Sequence, residues 1–172
     1  MQSKDITAQV DKNFKTTPIN RITLFCRDLD RSLSLYRDIL GFNVIETKTI
    51  QSTAFNNLMN IEDDNCSVRI CYLQSEESEF GLIALFEINS QQLDKNEAVK
   101  NSSIQYGQNV IVLSTNDHEK IYKELKKLGY IFLVEPIKYI KAEDSDYIKA
   151  GEYLEMSFFD PDGFLINLIQ YN

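Results

Sequence analysis

The chain has 172 residues, with 18 basic and 26 acidic side chains and a formal net charge of -8, which suit one domain or two small halves that share a core. This acidic balance argues against a protein that binds the phosphate backbone of nucleic acids, because that function needs a basic face. The single histidine excludes a two-histidine metal site within one chain, an HExxH protease helix and a zinc finger.

The cysteines and the chain start give no sign of secretion or of a membrane anchor. Cys26, Cys66 and Cys71 are an odd number and lack zinc-type spacing, so we expect reduced, buried thiols in a cytoplasmic protein. Residues 1–16 are polar, with no apolar segment typical of a signal peptide, and we interpret them as a flexible N-terminal arm. No apolar run approaches the roughly 18 residues of a membrane span, so we predict no membrane partner.

The first half of the chain is predicted to contain a strand, a helix and three more strands. Alternating β-branched and aromatic residues over 20–27 indicate a strand. Apolar residues recur at helical spacing over 30–40, with Asp28 or Asp30 placed to cap the start and Gly41 placed to end the helix. The other predicted segments are strands over 42–50, 67–74 and 81–87 and an irregular polar stretch over 51–65.

The same order returns after residues 89–107, a polar stretch that we interpret as a linker. A helix is predicted over 117–128, with Asn116 as its cap and Gly129 at its end. Pro136 places an edge or a bulge in the strand that follows this helix. The other predicted segments are strands over 108–114, 130–138, 152–159 and 164–170 and a charged loop over 139–151, interpreted as a lid.

The order β-α-β-β-β therefore occurs twice. Both helices end in Leu-Gly-aromatic, at Leu40-Gly41-Phe42 and at Leu128-Gly129-Tyr130. A repeat of this kind indicates two copies of one supersecondary unit. We predict an α+β fold, with a single domain over 17–172 whose modules, 17–88 and 108–172, form an open barrel-like mixed sheet around a cleft.

Two motifs resemble those of a known superfamily. INRITLFCRDLDRSLSLYRDILGF, together with DPDGFLINLIQ near the C-terminus, resembles the vicinal oxygen chelate superfamily, which includes glyoxalases, extradiol dioxygenases, fosfomycin-resistance enzymes and bleomycin-binding proteins. The resemblance covers residues 18–171 and implies two β-α-β-β-β modules around a cavity that holds the chemistry. Because family members are commonly dimers, it also implies a homodimer.

The resemblance also identifies where metal-binding members place their ligands, and this chain departs from the pattern at each point. Arg21 stands where the first strand opens with His or Gln, Asn109 where the second module opens with His, and Asn167 where the last strand has Glu. Ala84 is the corresponding residue of the first module. Arginine has no lone pair to donate and neutral amides hold transition metals poorly, so we predict no metal and no cofactor.

Strand alternation predicts the lining of the cleft. If Arg21 faces inward, so do Thr23 and Phe25, and if Asn109 faces inward, so does Ile111. Such a mostly apolar pocket suits a small organic ligand, and an arginine fork favours a carboxylate, a phosphate or an enolate-like oxygen. The predicted ligand-binding residues are Arg21, Thr23, Phe25, Ala84, Asn109, Ile111 and Asn167.

Several functions stay open at this point, and whether the chain is an enzyme is one of the open questions. The first is a metal-free small-molecule-binding protein of the glyoxalase/bleomycin-resistance type. The second is a metal-independent isomerase or lyase, with Arg21 stabilising an oxyanion and Glu155 moving a proton. A structural module that binds a protein partner is a weaker reading. A metalloenzyme with displaced ligands would have to use Glu87, Glu155, Cys71 or His118.

Two isolated charged or titratable residues carry expectations of their own. Arg69 interrupts an apolar strand, and we expect it on the solvent face because strands alternate between inside and outside. His118 lies in the first turn of a predicted helix, a typically exposed position, and we do not expect it to be catalytic.

Overall fold

Eight strands in two sheets form the framework of the described residues, which are 19–75, 81–96 and 100–171 of the computed structural model. The predicted N-terminal arm over 1–16 lies outside these residues. Each sheet is built from one half of the chain, and in both the first strand pairs in parallel with the last strand of its half. The remaining strand pairs are antiparallel.

The first sheet has the strand order β1-β4-β3-β2. Its strands run from β1 to β4 along the chain, with helix α1 after β1 and the short helix α2 after β2. The elements are β1 (Ile22–Cys26), α1 (Leu29–Tyr36), β2 (Asn43–Ile50), α2 (Thr53–Leu58), β3 (Ser67–Gln74) and β4 (Ile83–Asn89).

The second sheet repeats this arrangement as β5-β8-β7-β6. No strand pairing between the two sheets occurs among the described residues, so they do not close into a barrel. The predicted α+β fold of two β-α-β-β-β modules is confirmed. The elements are β5 (Val110–Ser114), α3 (His118–Lys127), β6 (Phe132–Lys141), β7 (Gly151–Phe159) and β8 (Leu165–Tyr171).

The two long helices begin in different ways. The Asp28 carboxylate caps α1 as predicted and accepts hydrogen bonds from the backbone N–H groups of Asp30 and Arg31. The predicted cap of α3 at Asn116 is wrong, because the N-cap is Asp117 and its side chain makes no capping hydrogen bond. The Thr115 hydroxyl accepts from the Asp117 backbone instead.

Helix α2 lies in the stretch predicted to be irregular. It has 6 residues and little apolar periodicity, so its sequence lacks the pattern by which an amphipathic helix is recognised. Phe55 packs against the first sheet, and the Asn56 side chain donates to the Asp63 carbonyl. Among the described residues, no helix combines the length and the apolar character that crossing a membrane requires.

One hydrophobic core joins both modules on the side of the sheets that carries the helices. It combines Leu33 and Tyr36 of α1 with Leu125 of α3 and with buried residues of both sheets. A second cluster covers the opposite side of the first sheet, around Ala84 and Phe86. We call the sides away from α1 and α3 the open faces of the two sheets.

Candidate functional site

Arg21 lies over the open face of the first sheet. Its Nε donates to the Thr23 hydroxyl at 3.1 Å, and its guanidinium carbon is 5.8 Å from the centre of the Tyr72 ring and 5.9 Å from that of Phe86. This distance to two ring faces is that of a cation–π contact. The guanidinium is exposed and takes part in none of the ion pairs of the described residues. It is therefore available to an anionic oxygen.

An apolar cavity of about 360 Å³ opens on the same face. Phe25 and Phe86 form its floor, with their ring centres 6.1 Å apart and their planes at 87°. This edge-to-face geometry is favourable for aromatic pairs. The cavity, which we call the phenylalanine pocket, is also lined by Cys26, Arg27, Met59, Ile61, Ile88, Leu93, Asp94, Lys95 and Asp162.

The segment that follows helix α2 supplies one wall of the phenylalanine pocket, and Phe55 of the helix packs behind it against Phe86. The Phe55 ring lies 6.1 Å from Phe86, and Met59 and Ile61 follow the helix into the lining. None of these three residues was in the predicted site. The one available signal was the apolar residues Phe55, Met59 and Ile61 within a stretch that is otherwise polar.

The Asp-Pro-Asp-Gly turn of the second module contributes one charged residue, Asp162, to the lining of the phenylalanine pocket. Asp162 accepts from Nη1 of Arg27 at 2.7 Å and from the Ser32 hydroxyl at 3.0 Å, so it contacts both β1 and α1. Its side chain is almost fully buried. Arg27 is held by this ion pair and by the Asn96 carbonyl, so its guanidinium serves the junction between the modules.

The first aspartate of the turn, Asp160, is also buried at this junction. Its Oδ2 accepts from the Tyr36 hydroxyl at 2.9 Å, and its Oδ1 accepts from the backbone N–H groups of Asp162 and Phe164. Burial raises the pKa of the Asp160 carboxyl to about 6. Burial beside Asp160 likewise raises the pKa of the Tyr36 hydroxyl. The two sequence motifs that carry the family resemblance therefore meet in space.

The thiol of Cys26 at the edge of the phenylalanine pocket has the character of a small apolar side chain. Cys26, Cys66 and Cys71 are all buried and unpaired with one another, as expected from their spacing. Burial raises the pKa of the Cys26 thiol to about 12. A thiol with so high a pKa is not a nucleophile near neutral pH.

Polar residues occupy the open face of the second sheet. The Asn167 amide donates to the Ser157 hydroxyl at 3.0 Å across paired strands. Next to this pair, the Glu155 carboxylate accepts a hydrogen bond from the Tyr139 hydroxyl. This bond raises the pKa of Tyr139 to about 12, so the phenol stays protonated.

The structure corrects the predicted orientation of β5. Ile111 is buried in the core on the helix side and pairs with Ile166, whereas Val112 pairs with Asn167 on the open face. The second module has one residue fewer than the first between the helix N-cap and the glycine that ends the helix turn. If the two modules are aligned by Gly41 and Gly129, the residues of β5 are therefore displaced by one position relative to those of β1.

This shift also moves the position that corresponds to Arg21. Thr23 pairs with Ala84 in the first sheet as Val112 pairs with Asn167 in the second, so Val110 is the structural equivalent of Arg21. Asn109 precedes β5 and is exposed. No hydrogen bond among the described residues joins Arg21, Asn109 and Asn167, and the structure does not bring them together as the predicted cluster.

The donor set at the family's metal positions does not fit a divalent ion. The four positions hold a guanidinium at Arg21, methyl-bearing side chains at Ala84 and Val110, and a neutral amide at Asn167. Only the amide has an oxygen to offer, and it is neutral. Within the described ranges, no group of three or more His, Cys, Asp and Glu residues is placed to hold a metal ion.

The residues considered for a displaced metal site do not converge. Cys71 lies in the helix-side core, and Glu87 accepts from Arg69 at 2.8 Å beside the start of α1. Glu155 belongs to the open face of the other sheet. Arg69 also pairs with Asp30, so it stabilises the start of α1 at a partly exposed position and does not join an anion site.

His118 differs from its expected exposure. The side chain is 1% exposed, and neither ring nitrogen has a well-formed hydrogen bond to the described residues. Burial lowers its pKa, an effect opposed by the nearby Leu168 carbonyl. His118 lies on the helix side of the second sheet, away from both open faces, which agrees with a structural place in the core.

Comparisons with solved structures support the fold. A glyoxalase family protein of Bacillus cereus superposes with a TM-score of 0.73 at 14% identity, covering 94% of this chain and 99% of that one. The fosfomycin resistance protein FosX of Listeria monocytogenes gives 0.51 at 13% identity, with 92% and 95% covered. FosX of Mesorhizobium loti gives 0.51 at 13% identity, with 90% and 91% covered. A search of the curated proteins finds no match to this chain.

A family model decides the assignment. The model of the Glyoxalase/Bleomycin resistance protein/Dioxygenase superfamily matches residues 18–168, which is nearly the whole chain. The match extends over both modules and includes the Asp-Pro-Asp-Gly turn between β7 and β8. The chain belongs to the Glyoxalase/Bleomycin resistance protein/Dioxygenase superfamily.

Proposed function

We propose that this chain is a metal-free small-molecule-binding protein of the glyoxalase/bleomycin-resistance type. The observation that carries the proposal is the phenylalanine pocket, an apolar cavity of about 360 Å³ on the open face of the first sheet, where the family resemblance leads us to expect the site. Its size falls within the range of small-molecule sites, about 300–1,000 Å³. The ligand is a small organic compound whose apolar body lies against Phe25, Phe86 and Met59.

Arg21 lies beside the phenylalanine pocket, outside its lining residues, and is the group that we propose for the polar end of the ligand. The guanidinium lies 5.9 Å from the centre of the Phe86 ring, which is part of the pocket floor. Its free N–H groups suit a carboxylate, a phosphate or an enolate-like oxygen. The favoured ligand therefore combines an apolar body with one anionic group. The local positive charge of Arg21 decides this choice, although the net charge of the whole chain is negative.

The proposal separates this chain from metal-containing relatives of the same fold. The FosX structure of Listeria monocytogenes is complexed with Mn(II) and sulfate. At the positions where the family resemblance places metal ligands, after the one-residue shift at β5, this chain has Arg21, Ala84, Val110 and Asn167, which do not supply the donors that a divalent ion needs. The arginine adds a repulsive charge, so binding here relies on apolar contact and on the guanidinium.

A metal-independent isomerase or lyase is the second candidate function, and the bond between Tyr139 and Glu155 favours it. This pair could move a proton, while Arg21 would stabilise an oxyanion. The two parts lie on different sheets, which makes binding the better supported role. For an enzyme, Arg21→Ala would lower turnover more than ligand affinity, whereas for a binding protein only affinity would fall.

The proposal includes a homodimer in a reducing compartment such as the cytoplasm. Val110 and Val112 expose apolar side chains on the open face of the second sheet, and a second copy would bury them. The buried, unpaired cysteines suit a reducing environment. Light scattering after size-exclusion chromatography would show twice the chain mass if the dimer forms.

The experiment is to identify the bound compound and then remove one wall of its pocket. Compounds released by denaturing the purified protein are identified by mass spectrometry, and the recovered compound is titrated calorimetrically. Phe25→Ala should weaken its binding by about tenfold, because a large aromatic contact is lost. Tyr106→Ala, at a fully exposed aromatic outside the pocket, is the matched control and should bind like the wild type. Equal affinity of the two variants would contradict the proposal.

A further inference from the structure

A row of tyrosines crosses the open face of the second sheet. Tyr139 of β6, Tyr153 of β7 and Tyr171 of β8 are direct cross-strand neighbours. The rings of Tyr139 and Tyr153 are stacked, with centres 5.4 Å apart, and Tyr153 and Tyr171 are 5.2 Å apart. Three electron-rich ring systems therefore lie side by side, separate from the phenylalanine pocket.

These tyrosines line a second cavity, of about 600 Å³, between the sheet and the loop that connects β6 to β7. The cavity is large enough for a small organic molecule. We call it the tyrosine pocket. Besides the three tyrosines, its lining comprises Ser114, Thr115, Asn116, Tyr147, Ile148, Lys149, Glu155 and Ile169.

Two charged side chains line the tyrosine pocket, Glu155 and Lys149. Glu155 is half-buried in the lining, and none of the ion pairs in the described part of the chain involves it. Its hydrogen bond comes from the neutral Tyr139 hydroxyl. The lysine of the lining, Lys149, is paired with Asp144 at 3.4 Å. The carboxylate of Glu155 is thus the uncompensated charge among the lining residues.

The loop above the tyrosine pocket is held in place by the same tyrosines. The Tyr153 hydroxyl donates to the Lys149 carbonyl at 2.7 Å, and the Tyr171 hydroxyl donates to the Ala150 carbonyl at 3.4 Å. The ring of Tyr171 approaches Gly151 so closely that an added Cβ would lie 2.3 Å from a ring carbon. These contacts hold the end of the loop against the sheet at the edge of the cavity.

We propose that the tyrosine pocket binds an organic ammonium cation, with the charged nitrogen between the tyrosine rings and the Glu155 carboxylate. Aromatic faces attract such cations through their quadrupole, and the effect grows when water is excluded. The carboxylate adds a direct charge interaction that a neutral molecule lacks. This site lies on a different sheet from the phenylalanine pocket and takes the opposite ligand charge, so it does not rest on the proposed function.

The test compares a cation with its neutral isostere. Choline and 3,3-dimethylbutan-1-ol differ only in that a quaternary nitrogen replaces a quaternary carbon. Each is titrated into the full chain, with calorimetry and the NMR signals of the tyrosine rings as readouts. We expect saturable millimolar binding of choline and at least about tenfold weaker binding of the alcohol.

Substitutions of two glutamates on β7 test whether choline binds in the tyrosine pocket. Glu155→Gln should weaken choline binding by about tenfold and leave the alcohol unaffected, because only the charge is lost. Glu152→Gln removes a carboxylate from the same strand on its other side, where Glu152 pairs with Lys138, and should bind choline like the wild type. Tyr139→Phe keeps the ring and frees the carboxylate, so choline binding should be retained.

Three results would overturn the proposal. They are the absence of saturable choline binding, equal binding of the alcohol, and equal loss in the Glu152→Gln and Glu155→Gln variants. Far-UV circular dichroism and the urea midpoint of each variant, compared with those of the wild type, provide an independent check that the variant is folded.

Discussion

Asp160 shows how a single residue connects the two sequence motifs. Its carboxylate accepts from the Tyr36 hydroxyl of α1 and from two backbone groups of its own turn. Neighbouring Asp162 adds a charge-assisted contact to Arg27. Both aspartates were recognised in the sequence as parts of a turn motif. Their contacts with α1 were not predictable, because they join residues more than 120 positions apart and depend on how the modules pack.

The raised pKa of Asp160 predicts a specific pH dependence of stability. The folded state holds the proton up to a pKa of about 6, whereas the carboxyl in the unfolded chain loses it near the ordinary pKa of 3.8. The folded state therefore binds more protons in this window, so its stability falls as pH rises through it. The contribution is about 3 kcal/mol at most, from a pKa difference of roughly two.

Asp160→Asn should remove this contribution. Urea denaturation of the wild type and the variant across this pH window measures it, and the difference in unfolding free energy should change steadily with pH. The asparagine oxygen can still accept from the backbone of Asp162 and Phe164, so the turn keeps its shape. A difference that is constant with pH would show that Asp160 titrates normally in the folded protein.

For His118 we expect a pH dependence of stability with the opposite sign. Burial lowers its folded pKa, so below its ordinary value of 6.5 the unfolded chain binds a proton that the folded chain does not. Stability is then lost as pH falls. His118→Phe keeps a ring in the core and removes two poorly bonded nitrogens, so we expect a gain of about 1 kcal/mol near neutral pH and a larger gain at lower pH. Denaturation at two pH values tests this, and a destabilised variant at both would contradict it.

Two features of the elements could not be predicted from the sequence: which residues of β5 face the core, and the presence of helix α2. The strand at β5 was predicted, but the faces of its residues were assigned from glycines that lie after the helix. One residue fewer in the second module placed Ile111 in the core and Val112 on the open face. Helix α2 is too short and too polar to show periodicity, and its contacts with Phe86 arise only in the folded chain.

Gly151, the first residue of β7, is a position where a side chain should destabilise the protein. Gly151 has φ of 155° and no space for a side chain, because the Tyr171 ring lies against its Cα. Gly151→Ala should lower the free energy of unfolding by about 1–2 kcal/mol. A double-mutant cycle with Tyr171→Ala separates the causes. If the contact dominates, Gly151→Ala costs less in the Tyr171→Ala background, and an unchanged cost would point to the backbone alone.

For the whole molecule, the repeat and the two end motifs were sufficient to predict the fold. The two four-stranded sheets appear in the predicted order, and the family model confirms the superfamily. The candidate site was predicted less well. Phe25 lies in a pocket, but much of the remaining lining comes from the segments that follow α2 and β4, for which the sequence has no pattern. Arg21 and Asn167 lie on separate sheets. Alternation predicts only which face of its own sheet a residue occupies, so it could not predict how far apart these two residues are.

The central claim is that this superfamily member does not hold a metal at the family's positions, and equilibrium dialysis tests it most directly. The wild-type chain and an Arg21→Ala variant, which removes the repulsive guanidinium, are dialysed against Mn²⁺ and then against Zn²⁺. Bound metal is measured by mass spectrometry. Our account predicts substoichiometric metal on both chains, since the remaining positions offer one neutral amide oxygen and no charged donor. One equivalent of tightly bound metal on the wild-type chain would contradict it.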